Sequence, residues 1–158
     1  MKMIRTHLFS FFVIVCFLIL ALASAPSKNS LTTKSGQIPP DFQGYNQTLL
    51  ILEQSRDWTK YAEKYFEANY TGNFTICSQN ELKLKYSDIN KYRFILTRNS
   101  FRNTDASGST QSLSQNLCIF DRKTEKTYCT KGSTSFYGKL LKAYSKALET
   151  ARQNENLK

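Results

Sequence analysis

Hydrophobic residues in this chain change their spacing twice, and that change limits what it can become. Over Asn46 to Ala68 the apolar positions recur at helical spacing. Trp58, Tyr61, Ala62, Tyr65 and Phe66 make one stripe, with Arg56, Lys60, Glu63, Lys64 and Glu67 opposite. A dense block, Leu49-Leu50-Ile51-Leu52, stands just before it and is read as part of the same helix. From Phe74 the spacing becomes two. Glu81-Leu82-Lys83-Leu84-Lys85-Tyr86 alternates apolar and charged residues, which suits a strand with one wet face. Ser87 to Lys91 reads as a turn and Tyr92 to Thr97 as the return strand. Asn99 to Ser114 is polar, contains Gly108, and reads as a long loop. Leu117 to Phe120 and Lys126 to Thr130 flank a second, charged turn. Helical spacing returns over Ser135 to Arg152, where Phe136, Leu140, Tyr144, Ala147, Leu148 and Ala151 share a face opposite Lys139, Lys142 and Lys146. The order is helix, hairpin, loop, hairpin, helix. It predicts an α+β fold: an antiparallel β meander between an N-terminal and a C-terminal amphipathic helix.

The chain before these elements has a different character. Lys2 and Arg5 precede an apolar run, Leu8 to Leu20, broken only by Ser10, and small residues Ala21, Ala23, Ser24 and Ala25 follow. That pattern predicts a signal peptide over residues 1–23, with cleavage after Ala23. Residues 24–44 carry Pro26, Gly36, Pro39 and Pro40 among Ser, Thr and Lys, and read as a flexible N-terminal arm. Residues 45–158 are then a single α+β domain. Three glycosylation acceptor triplets begin at Asn46, Asn69 and Asn73 and agree with an extracellular, secreted destination. No second long apolar run occurs, so stable membrane insertion is not expected.

Removing residues 1–23 takes away the only histidine, His7, and one of the four cysteines, Cys16. A chain without histidine cannot run a Ser-His-Asp or Cys-His mechanism. Cys77, Cys118 and Cys129 lack the close spacing of a zinc site, and no phosphate-binding glycine loop is present. The expectation is a non-enzymatic protein with no cofactor and no metal. The remaining 20 Lys and Arg against 12 acids give a net charge of +8. Basic secreted chains meet anionic partners such as glycosaminoglycans, phospholipid surfaces or acidic proteins. The lysines here are scattered with no basic run, and no nucleic-acid partner is expected.

The cysteines leave two arrangements open. If the second hairpin is symmetric about Lys123-Thr124, Cys118 faces Cys129 at a distance a disulfide can span. If its loop has an odd length, the two fall on opposite faces, and Cys77 can pair with one of them. The preferred reading is Cys77 with Cys129 or Cys118, because that closure constrains a longer loop. Either way one thiol is left over, which points to a disulfide-linked dimer or a free thiol.

Trp58 on a first helix, followed by Tyr65, Tyr70 and Cys77 opening a strand, resembles the start of tick salivary lipocalins. The likeness covers Asp57 to Leu96 and, more loosely, Cys118 to Leu148. It implies a lipocalin-like barrel and a secreted protein that sequesters a small hydrophobic or anionic ligand, or that modulates a host immune response. The candidate ligand-binding residues are Trp58, Tyr86, Tyr92, Phe94, Leu96 and Phe120. A barrel needs eight strands, whereas four are legible. A cystatin-like sheet around one helix fits that count better. It would make the chain a protein-binding inhibitor or effector without a ligand cavity, its partner a host protein. The Q-x-V-x-G hairpin of inhibitory cystatins is absent, since the first turn reads Ser87-Asp88-Ile89-Asn90-Lys91. A third class is a pure protein ligand acting through its basic surface.

Overall fold

Leu49–Leu52 is not the opening of a helix but a strand, β1, in the computed structural model, which describes residues 31–104, 110–133 and 136–153. The reason is its apolar density. Leu49, Leu50 and Ile51 are all fully buried, which requires cover on both faces, and a strand inside a mixed sheet provides that. The helix begins later. Ser55 caps it by accepting from the Trp58 N–H, and α1 runs Arg56–Asn69. The chain then enters β2, Phe74–Cys77, parallel to β1.

The alternating stretch after Cys77 also departs from expectation. Gln79–Leu84 is a short helix, α2. Ser78 accepts from the Glu81 N–H while the Glu81 carboxylate accepts from the Ser78 N–H, a reciprocal capping box. Six residues of alternation are too few to outweigh such a start signal. Leu82 of this helix and Tyr86 beyond its end both turn to the sheet.

The largest revision concerns the polar loop. Strand β3 runs Phe94–Thr104 and β4 runs Thr110–Asp121, paired antiparallel along their length. Asn99 to Ser114 is thus mostly a two-stranded ribbon. A four-residue turn leads to β5, Lys126–Cys129. Asp121 fixes this turn by accepting from the Lys123 N–H and the Thr124 hydroxyl, and Glu125 adopts a positive φ of 56°. The last helix, α3, is Tyr137–Gln153.

The α+β class holds. The sheet is open, in the order β2-β1-β3-β4-β5, and does not close into a barrel. Nor is it a pure antiparallel meander, because β1 is parallel to both β2 and β3. Helices α1 and α3 pack side by side on one face. Trp58, Phe66, Leu140, Tyr144 and Leu148 interlock there with Leu49, Ile51, Phe94, Leu96, Leu117 and Ile119. Each such side chain removed from water contributes about 1.5–3 kcal/mol. The opposite face carries a smaller cluster of Leu50, Cys77 and Ile95 under Leu82, Tyr86 and Tyr92.

The expected flexible arm of residues 24–44 is docked where it is described. Leu31, Ile38 and Phe42 are buried in the main core. Tyr144 donates its hydroxyl to the Gln37 carbonyl at 2.7 Å, and the Gly44 N–H reaches the Arg152 carbonyl. Three well-spaced apolar residues are enough to dock a segment otherwise rich in Pro, Ser and Lys. Residues 24–30 and the expected signal peptide lie outside the described residues.

Candidate functional site

Strand register sorts the candidate residues onto two faces of the sheet. Phe94 and Leu96 point to the helices and are fully buried beside Trp58, whose indole N–H donates to the Leu52 carbonyl at 2.8 Å. Phe120, paired with Ile95, points the other way and joins Tyr86 and Tyr92, whose rings meet edge to face at 4.9 Å. The six therefore do not line one cavity. Trp58, Phe94 and Leu96 are core, while Tyr86, Tyr92 and Phe120 hold the α2 connector on the sheet. Arg122 fastens that connector by donating to the carbonyls of Tyr86, Ser87 and Tyr92.

The disulfide joins Cys118 to Cys129 across β4 and β5, with Cα atoms 4.1 Å apart. The symmetric hairpin is the one that forms, and the preferred pairing through Cys77 is not made. The sheet order explains this. Strands β1 and β3 separate β2 from β4, so Cys77 lies about 14 Å from Cys118 at ordinary strand spacing, beyond disulfide reach. Cys77 is free and only 1% exposed, beneath the α2 connector. Burial pushes its thiol above the usual range, and nearby Glu81 pushes the same way. A bond to a second molecule through Cys77 would require lifting the connector.

The two ends of the sheet differ in their charges. At the end where β3 begins, Arg93 lies between Asp121 and Asp41, at 2.7 and 2.6 Å. Burial works to raise the Asp121 carboxyl. Hydrogen bonds from Arg93, Thr124 and Lys123 outweigh that and hold it at about 2. Nearby, Glu149 accepts from Arg152 and from both the N–H and hydroxyl of Thr71. Burial opposes its charge too, and the Arg152 and Thr71 bonds win, leaving it below the ordinary glutamate range.

At the other end, where the β3–β4 ribbon leaves the sheet, Arg98 has no carboxylate partner among the described residues. Its guanidinium lies 4.6 Å from the Tyr137 ring centre and 5.5 Å from that of Trp58. Its side-chain hydrogen bonds go to the neutral amides of Gln54 and Gln115. Three of the five exposed large apolar side chains among the described residues gather at this end: Phe101 at 42%, Leu113 at 51% and Phe136 at 52% exposure. Phe101 comes so close to the chain at Gly132 that a Cβ there would stand 2.9 Å from its Cζ, so a larger residue would have to move the ring.

This end was missed by sequence reasoning, which read its residues as loop. One signal could have found it. The β3–β4 register centres near Gly108, with polar arms of similar length on either side. That is the layout of a hairpin, though only Thr104 and Thr110 in it are the β-branched residues that usually announce one.

Two of the three glycan acceptors, Asn46 and Asn73, are exposed. They precede β1 and β2, which puts both at the end opposite the ribbon. Asn69 closes α1, and its side-chain amide donates to the Tyr65 carbonyl at 2.7 Å and to the buried Ser145 hydroxyl at 3.3 Å. Among the described residues no acid, histidine and cysteine cluster could hold a metal ion, and no helix is long and apolar enough to cross a membrane.

No family model matches the chain, and no curated protein matches it. Among solved structures, it is similar to a variant PelC dodecamer from Paraburkholderia phytofirmans at 12% identity and a TM-score of 0.41, covering 68% of this chain and 90% of that one. It is also similar to a second PelC dodecamer from the same organism at 14% identity and a TM-score of 0.38, covering 70% and 91%. A likeness at this level carries no argument about function.

Proposed function

We propose that this chain is a secreted, non-enzymatic protein-binding module that engages its partner through the ribbon end of the sheet. The observation that carries this is that Phe101, Leu113 and Phe136 are all exposed at the sheet end that holds Arg98, which has no carboxylate partner among the described residues, with Phe101 on the face opposite Arg98. Large apolar side chains left exposed among polar, charged positions mark an interaction site. The exposed glycan acceptors Asn46 and Asn73 stand at the far end, where sugars would leave the ribbon clear. An open sheet whose inner face is filled by two helices favours a binding surface over a carrier's interior.

The test is a native, non-reducing mass spectrum of the glycosidase-treated protein collected from the medium of secreting cells. The expected result is a bare monomer starting at Ser24 with one disulfide. A retained small molecule would overturn the reading in favour of a carrier. Retention of the chain inside the cells would overturn the secreted part alone. The same sample checks Cys77, which should resist alkylation until the protein is unfolded.

A further inference from the structure

The three acceptor triplets look alike in sequence, but the fold treats them differently. N-glycosylation forms a bond from an asparagine Nδ2 to C1 of a sugar, while the bond from C1 to the pyrophosphate of a lipid-linked oligosaccharide breaks. The pyrophosphate leaves with the electron pair, and Nδ2 gives up one of its two protons. A modified asparagine therefore keeps a single N–H. Asn69 has a use for both: its Nδ2 donates to the Tyr65 carbonyl at 2.7 Å and to the Ser145 hydroxyl at 3.3 Å. Ser145 belongs to α3 and is 0% exposed. A sugar in place of that hydrogen would have to enter the packing of α1 against α3. The hydroxyl of the same triplet is engaged as well. Thr71 donates it to the Glu149 carboxylate at 2.6 Å and accepts from the Arg152 guanidinium at 2.6 Å. Asn69 and Thr71 thus clasp the end of α1 to α3.

Asn46 and Asn73 are placed otherwise. Both are exposed, and no side-chain hydrogen bond among the described residues holds them or the hydroxyls of Thr48 and Thr75. Asn46 leads into β1 and Asn73 into β2, and Leu49 pairs with Phe74 in the parallel ladder. The two asparagines therefore stand at the starts of neighbouring strands, open to solvent. We infer that the folded protein carries N-linked glycans on Asn46 and Asn73, while Asn69 stays bare as a clasp between the helices. The inference rests on the secreted reading, because the transfer meets only exported chains. It acts before folding is complete, so folding sorts its products. A chain with a sugar on Asn69 cannot close the α1–α3 contact, loses a hydrogen bond to a buried hydroxyl, and drops out of the folded pool.

The experiment is a site map of the folded protein collected from the medium of secreting cells. Peptide N-glycosidase in heavy-oxygen water converts each occupied asparagine to a labelled aspartate, which peptide mass spectrometry reads. Label is expected at Asn46 and Asn73 and not at Asn69. Asn46→Gln and Asn73→Gln should each remove one glycan and leave the thermal midpoint nearly unchanged. Asn69→Gln should remove no glycan and lower the midpoint by a few degrees, since the amide is displaced from Ser145. Where Asn69→Gln does not fold, Ser145→Ala serves instead. It removes the same bond, leaves all three triplets intact, and should lower the midpoint with the glycan pattern unchanged. Label at Asn69 in the folded protein, or a bare Asn46 or Asn73, would overturn the inference. So would a wild-type midpoint in both clasp variants. A chain in the medium without any glycan would overturn it and leave the secreted reading standing, whereas an unmodified chain kept in the cytosol would overturn both.

Discussion

At the Asn46 end of the sheet, Arg93 is held by Asp121 and Asp41, and Arg152 by Glu149. At the ribbon end, Arg98 lies against two aromatic rings and two neutral amides, and makes no salt bridge among the described residues. The second end also exposes three large apolar side chains, Phe101, Leu113 and Phe136. The contrast separates two uses of the same residue type. A half-buried arginine bonded to carboxylates holds the fold together. An arginine stacked on rings and bonded to neutral amides leaves electrostatic attraction available to another molecule.

The sharpest way to break this comparison is to remove one arginine from each end. Arg93→Ala leaves Asp121, itself 1% exposed, as a buried charge without its cation. The expected loss is about 3–5 kcal/mol of unfolding free energy. Arg98→Ala removes only ring contacts and amide bonds, and should cost about 1 kcal/mol. Denaturant titration of both variants measures this. Similar losses at the two ends would erase the distinction between them.

The next effect comes from the disulfide at the base of the ribbon. Cys118→Ser with Cys129→Ser opens a short loop and should cost about 2–3 kcal/mol. Because Cys77 is three strands away from Cys118, the single variant Cys129→Ser should not rescue itself by forming a Cys77 bond. A peptide map showing Cys77 joined to Cys118 in that variant would mean that the strand order is wrong.

How much of this was legible beforehand depends on what each signal needed. The last helix and the second hairpin follow from local pattern, and local pattern sufficed; the preferred pairing through Cys77 failed because the strand order that keeps Cys77 away is not a local property. β1 could not be separated from α1 by spacing, because Leu49 to Leu52 is apolar at every position and fits a buried strand or a buried helix turn equally. The Ser55 cap was the missing boundary mark. α2 was misread because alternation over six residues cannot be told from one helical turn with lysines around it. The Ser78 and Glu81 pair carried the information instead. The ribbon was illegible for a different reason. Its strands are held by pairing with each other, so their sequence shows no buried face. The site could not be read for the same reason: Arg98 meets Tyr137 and Trp58 only through tertiary packing.

Acid should act on one end before the other. The Asp121 carboxyl is held at about 2, below its ordinary 3.8. A depressed carboxylate contributes stability that is present above the unfolded value and is lost as pH falls through the folded one. The loss should therefore run from about pH 4 down to pH 2 and amount to about 2 kcal/mol. Arg98→Ala should keep this slope and Arg93→Ala should flatten it. Stability measured at intervals through that window, in wild type and both variants, gives the check. A slope that survives Arg93→Ala would move its origin away from the Asp121 pair.

The smallest expected effect on the fold is the most telling about use. Phe101 is 42% exposed, and its ring lies against the chain at Gly132 without entering either hydrophobic cluster. Replacing it by serine removes little buried area, so Phe101→Ser should change unfolding free energy by no more than about 0.5 kcal/mol. A large aromatic on a polar ribbon that does nothing for stability has its use elsewhere, because exposed apolar surface favours unwanted association unless a partner covers it. If the ribbon is a binding element, the same variant should lower partner affinity while leaving the Cys118–Cys129 bond and the thermal midpoint alone. If Phe101→Ser instead destabilises the protein by more than a kilocalorie, the ring is part of the fold. The contrast between a stabilising end and a recognising end would then fail at the residue where it is most exposed to test.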